Sequence, residues 1–188
     1  MAVPPPIFSV VADSTTSLLI QEIVRYSAKR CGGDREELQH LLEDIGYPIG
    51  FRVVERLSLT NRLRFTEKRE ILKFICKDLW NFLFRKQADR LQTNQKGDFV
   101  IFENSLPWLK DFTGVSTSSV GPSTLTSSEL KRISGPDATL WKNPSFYVFF
   151  ICEIIRGALS HLGLSCTVTG DVSAAPACSF SVVISSSL

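Results

Sequence analysis

Five cysteines (Cys31, Cys76, Cys152, Cys166 and Cys178) and two histidines (His40 and His161) are the side chains on which nucleophilic or metal chemistry would draw. A cysteine nucleophile needs a base beside it, and the only imidazoles sit on the second predicted helix and near the end of the fourth. Cys152 or Cys166 can approach His161 in space, but apolar flanks raise a thiol's pKa and make it inert. The odd count and the lack of any C-x-x-C pair point to reduced thiols packed in a core. The Cys and His spacings match no zinc finger or ribbon, so no metal is assigned. No G-x-x-x-x-G-K-[ST] segment is present, and the glycines fall inside helices or at their stops, so no nucleotide or other cofactor is assigned. The carboxylate pairs Glu36–Glu37 and Glu43–Asp44 lie on a solvated helix face, with no spacing that sets two acids across a cleft. No catalytic residue is named, and the chain is not expected to be an enzyme.

Composition narrows the classes further. A chain of 188 residues with 44% hydrophobic content suits one domain over 1–188, burying roughly 70% of the unfolded surface. With 21 Lys and Arg against 19 Asp and Glu, the net charge of +2 gives no extended phosphate-binding face, so nucleic acid is not an expected partner. The start, Met1-Ala2-Val3-Pro4-Pro5-Pro6, shows no secretion signal, and Ala2 in place of Gly excludes N-myristoylation. The longest apolar run, Phe146 to Cys152, is far short of the ~20 residues that span a bilayer, so any membrane association is expected to be peripheral.

The elements that position these residues follow from periodicity. Residues 1–12 read as a flexible N-terminus. Ser14, Leu18, Leu19, Ile23 and Val24 then space as a first helix, stopped by Cys31-Gly32-Gly33. Asp34 can cap a second helix carrying Leu38, Leu41, Leu42 and Ile45 on one face, which Gly46-Tyr47-Pro48 is expected to bend or split before Val53, Val54 and Leu57 resume the pattern. Gly46 and Gly50, four apart, leave a gap for another backbone or a large side chain. A third helix, capped by Thr66 or Asn61, ends near Arg85. Strands at about 89–93 and 98–103 flank the turn Asn94-Gln95-Lys96-Gly97. In 113–128, ten of sixteen positions are Ser or Thr, so 114–138 reads as a mobile loop insertion. Asn143-Pro144 starts a fourth, nearly all-apolar helix that Gly163 stops. Alternating Cys166, Val168, Gly170, Val172 and Cys178, Phe180, Val182, Ile184 form a closing hairpin with one buried face and its turn at 173–176. The order αααββαββ implies an α+β fold, with helices layered on one face of a four-stranded antiparallel sheet.

The third helix carries a surplus of aromatics. At about 100° per residue, Ile71, Leu72, Ile75, Cys76, Leu79, Trp80, Phe82 and Leu83 face the core. Phe74 and Phe84 fall in the opposite arc with Glu70, Lys73, Lys77, Asp78 and Asn81. Two readings stand for these rings: scattered surface residues, or contacts for a partner, with Phe74 the better interface candidate.

The segment Ile45-Gly46-Tyr47-Pro48-Ile49-Gly50-Phe51-Arg52-Val53-Val54-Glu55-Arg56-Leu57 resembles the G-[FY]-x-[IV]-G-x-x-[LV]-[IV]-E signature of the small subunits of TRAPP, the transport protein particle. Leu72 to Trp80, Phe84 to Gln87, Leu91 to Asn94, Gly97, Ile155 to Ser160, Leu162-Gly163, Val168-Thr169 and Pro176 to Phe180 resemble the subunit 6 branch of that family, in its order along the chain. The resemblance implies an architectural subunit that forms a heterodimer with a subunit 3 paralogue, chiefly through its helices. Gly46, Tyr47, Gly50, Val53, Val54, Leu57 and Phe74 are the expected interface residues. It further implies other TRAPP subunits as neighbours and a Rab-type GTPase as client of the whole exchange-factor complex. The implied setting is ER-to-Golgi and intra-Golgi transport, with autophagy as an additional context, on the cytoplasmic side of Golgi and ER-to-Golgi membranes. Subunit 3 relatives carry an acylated cysteine before the third helix, where this chain has Leu63, Arg64 and Phe65, so acylation is not implied. The apolar fourth helix keeps a second reading open, a small apolar-ligand module with a cavity between that helix and the sheet.

Overall fold

The computed structural model describes residues 13–61, 65–94, 98–112 and 140–185. The N-terminus assigned to 1–12 and the loop assigned to 114–138 lie outside the described residues.

Helix α1 (Asp13–Arg30) buries Ile20, Val24, Ser27 and Ala28, one face at helical spacing, and Cys31 continues that face past its end. Gly32 and Gly33, both at positive φ, turn the chain back, where a side chain on the left-handed backbone would be strained. Asp34 caps the next helix as its residue type predicts: Oδ1 accepts from the N–H of Glu36 at 2.9 Å and of Glu37 at 3.3 Å. Helix α2 (Arg35–Asn61) runs unbroken through Pro48, which corrects the expected split. The proline is exposed, so water can reach the carbonyl it leaves without a partner, while the close contacts of Gly46 and Gly50 with α5 help keep the helix continuous through it.

The third predicted helix is three pieces: α3 (Lys68–Phe74), a π-helical turn (Ile75–Leu79) and α4 (Trp80–Phe84). Glu70 ties its start by accepting from the Thr66 N–H at 3.0 Å, the Thr66 hydroxyl at 3.1 Å and the Glu67 N–H at 3.4 Å. The cap residue is therefore Glu67. A π turn accommodates one extra residue, so everything after it is rotated by about 100° from the α-helical count. That rotation turns Phe84 inward with Trp80, their rings 5.4 Å apart, and leaves Phe82 and Leu83 half-buried. Phe74, ahead of the turn, is buried beneath Phe65 at 5.3 Å. Neither ring is the exposed aromatic expected from the sequence. Arg85 ends α4 in the left-handed region, φ 58°, and the Ala88 N–H returns to the Cys76 carbonyl of the π turn at 2.9 Å.

Strands β1 (Arg90–Thr93), β2 (Phe99–Glu103), β3 (Cys166–Ala174) and β4 (Ala177–Ile184) form an antiparallel sheet in the order β1-β2-β4-β3. Two 3-10 turns (Pro107–Phe112 and Leu140–Lys142) precede α5 (Pro144–His161). Asn143 caps α5 by accepting from the Ser145 N–H at 2.9 Å, with Pro144 at the first helical position, and Gly163 at φ +82° stops it. Register places Ile101 opposite Phe180, and Phe180 opposite Gly170, on the covered face. Thr167, Thr169, Asp171 and Val183 lie on the other, where all four are exposed. Helix α5 lies on the covered face and α2 lies on α5, so the fold is α+β with the helices two deep on one side of the sheet. Of α5, Arg156, Ser160 and His161 near its end remain half-exposed.

Candidate assembly surface

The seam between α2 and α5 is set by three glycines. A Cβ on Gly50 would lie 1.9 Å from the Ile154 carbonyl oxygen, and one on Gly157 would lie 2.0 Å from that of Tyr47. Gly46 is almost as close, with Glu153 Cβ 3.0 Å and the Phe150 carbonyl 3.1 Å from its ideal Cβ position. The two backbones are in contact, and the gap read from the sequence is filled by this chain's own helix. Polar groups then fasten the seam. The Tyr47 hydroxyl donates to Ser160 Oγ at 2.8 Å. The Arg156 guanidinium lies 4.7 Å over the Tyr47 ring, donates from Nε to Glu153 Oε2 at 2.7 Å and also reaches Glu43. Burial pushes the Glu153 carboxyl up despite the opposing pull of Arg156.

A second polar node has no counterpart in the sequence reading. Glu103, at the end of β2, is fully buried and accepts from the Trp80 indole N–H at 3.1 Å and from the Ser105 N–H at 3.1 Å. Lys86 Nζ pairs with Glu103 and lies 3.4 Å from Asp89 Oδ1. Asp89 in turn accepts from the Asn104 N–H at 2.7 Å, the main reason its carboxyl is held below the usual range. Burial pulls the Lys86 ammonium down, but its bonds to Glu103 and Asp89 outweigh this and hold it above the ordinary lysine value. The Ala88-to-Cys76 backbone bond sits between Lys86 and Asp89 in the chain, so the π turn helps present both to Glu103.

The seven residues expected at an interface divide accordingly. Gly46, Gly50 and Val54 pack against the chain's own core, and so does Phe74, whose expected exposure is corrected above. Tyr47, Val53 and Leu57 keep a half-exposed edge. Among the described residues, three large exposed apolar side chains lie instead on the outer side of α1, where Leu18 is 64%, Leu19 59% and Tyr26 62% exposed. Phe51 and Leu59 are exposed on α2, with Phe51 edge-on to His161 at 4.6 Å. Leu19 and Tyr26, seven apart, share a side of α1 well away from Val24 and Ala28. The signal for this was present: Leu18-Leu19-Ile20 followed by Ile23-Val24 is more apolar surface than one helix face can bury.

At all five cysteines, burial disfavours the thiolate. Burial raises the thiol pKa of Cys76 and Cys178 to about 12 and of Cys166 to about 11, and it also raises those of Cys31 and Cys152. His40 lies 3.9 Å from Glu43, and His161 packs on Phe51. Among the described residues, no group of three or more His, Cys, Asp or Glu could hold a metal ion, and no helix is long and apolar enough to cross a membrane. At Gly170 an added Cβ would lie 2.2 Å from a Val148 methyl and 2.9 Å from Cys152 Sγ, so α5 and β3 are in close contact at that position.

Comparison with known proteins gives the chain its relatives. A family model described as transport protein particle (TRAPP) component matches residues 16–185. The chain is 38% identical over 153 residues to trafficking protein particle complex subunit 6A of Bos taurus, covering 81% of each chain. It is 36% identical to subunit 6B of Homo sapiens, covering 76% of each, and 33% identical to subunit 6b of Danio rerio, covering 88% of this chain and 92% of that one. A solved structure of a subunit 3 from Naegleria fowleri, covalently bound to palmitic acid, superposes with a TM-score of 0.65 over 94% of this chain and 99% of the other. At 14% identity, that similarity speaks for the fold alone. The family match over 16–185 and these relatives, matched over most of their length, establish that the chain belongs to the TRAPP component family.

Proposed function

We propose that this chain is a non-catalytic, architectural subunit of a TRAPP complex that pairs with a subunit 3 paralogue through its helices. The observation that carries the reading is the family match over residues 16–185, with relatives named as subunits 6A and 6B. The exposed stripe of Leu18, Leu19 and Tyr26 supports it physically, because an apolar helix face left open on a folded chain is what a partner helix covers. The interface runs along the outer side of α1 and onto the accessible edges of Tyr47, Val53 and Leu57. Gly46, Gly50, Val54 and Phe74 are buried in this chain's own core and do not line it. The complex as a whole acts on a Rab-type GTPase in ER-to-Golgi and intra-Golgi transport, and in autophagy. This subunit reaches Golgi and ER-to-Golgi membranes peripherally, through its partners.

Co-expression with the subunit 3 paralogue of the same organism tests the pairing. Size-exclusion chromatography with light scattering is expected to show a one-to-one complex, held by an interface that buries at least about 1,200 Å². The double variant Leu19→Glu/Tyr26→Glu is expected to abolish it. A chain that elutes alone beside its folded paralogue would overturn the pairing, and a complex that survives the double variant would overturn the surface. Phe74→Glu is not a usable probe, since it places a charge in the core under Phe65.

A further inference from the structure

We draw no further inference here: the strongest candidate outside the assembly surface already described, the outer edge of β3 (Cys166–Ala174) at the end of the sheet, carries none because nothing in the structure shows what covers it.

Discussion

Two helices of this molecule carry more apolar or close-packing residues than a solvated helix needs, and they use them in opposite ways. Helix α2, apart from the exposed Phe51 and Leu59, spends its surplus internally: Gly46 and Gly50 bring it into backbone contact with α5, and Tyr47 and Glu43 engage Ser160 and Arg156 across the seam. Helix α1 buries one face through Ile20, Val24 and Ala28 and leaves Leu18, Leu19 and Tyr26 open. A glycine-rich signature therefore marks where this chain packs on itself, and surplus leucine and tyrosine mark the apolar face it leaves exposed. Small residues let backbones approach, whereas large exposed ones supply area that only a partner can remove from water.

The largest effect is expected at the seam. Gly50→Ala gains about 1 kcal/mol of helix propensity but drives a methyl to within 1.9 Å of the Ile154 carbonyl, where only backbone can give way. A net loss of about 3 kcal/mol is expected, a fall of about 10 °C in Tm by circular dichroism. An unchanged Tm would mean that the helices are not in contact there.

Next in size is the Glu103 node. Lys86→Met leaves a buried carboxylate without its cation and is expected to cost about 2–3 kcal/mol in a urea titration, somewhat below the fully buried case because Lys86 keeps 32% of its side chain exposed. The node also predicts the shape of the pH profile. Asp89 has a depressed folded pKa, so its support is present above the ordinary value of 3.8 and is lost as pH falls through the depressed one. Lys86 has a raised pKa, so its support is present below 10.5 and is lost as pH rises through the raised value. Asp89→Asn should flatten the acid arm and, because Asp89 also helps raise the Lys86 pKa, weaken the alkaline arm to a smaller extent. A variant that keeps the wild-type acid arm would remove Asp89 from this account.

Much of this contrast was legible in the sequence, and the misses share one cause. Caps and stops at Asp34, Asn143-Pro144 and Gly163, and the alternation of Cys178, Phe180 and Val182, are local signals, and the fold follows them. Pro48, Phe84 and Glu103 escape such signals because distant partners decide them. Contacts of Tyr47 with Ser160 and Gly157 help carry α2 through the proline, and the Ala88 N–H takes a carbonyl of the π turn that shifts Phe84 inward. Glu103 stays buried because Trp80 on α4 and Lys86 just past its end converge on it, together with the Ser105 N–H two residues on. The α1 stripe is hidden for another reason, since periodicity counts Leu18 and Leu19 with Ile23 and Val24 and merges two faces into one.

A smaller effect separates fastening from close contact within the seam. Tyr47→Phe removes one hydrogen bond, from the hydroxyl to Ser160 Oγ, and leaves the ring beneath Arg156 and the backbone against Gly157 in place. About 1 kcal/mol is expected, roughly 3 °C in Tm, a third of the Gly50→Ala loss. If Tyr47→Phe costs as much as Gly50→Ala, the polar fasteners and not the backbone contact hold α2 to α5.

The smallest effect on stability belongs to α1 and is the sharpest test of the contrast. In the isolated chain Leu19 and Tyr26 are mostly in water, so replacing each with Glu removes little packing and is expected to move stability by no more than about 0.5 kcal/mol. The two introduced carboxylates would flank Glu22 along the helix, so the Leu19→Glu/Tyr26→Glu variant also gains negative charge on one side of α1, a repulsion that physiological salt largely screens. The isolated double variant should therefore melt with the wild type while losing its partner in co-expression. If it instead loses as much stability as Gly50→Ala, the stripe belongs to this chain's own core, and the division between a helix that packs at home and one that waits for a partner fails.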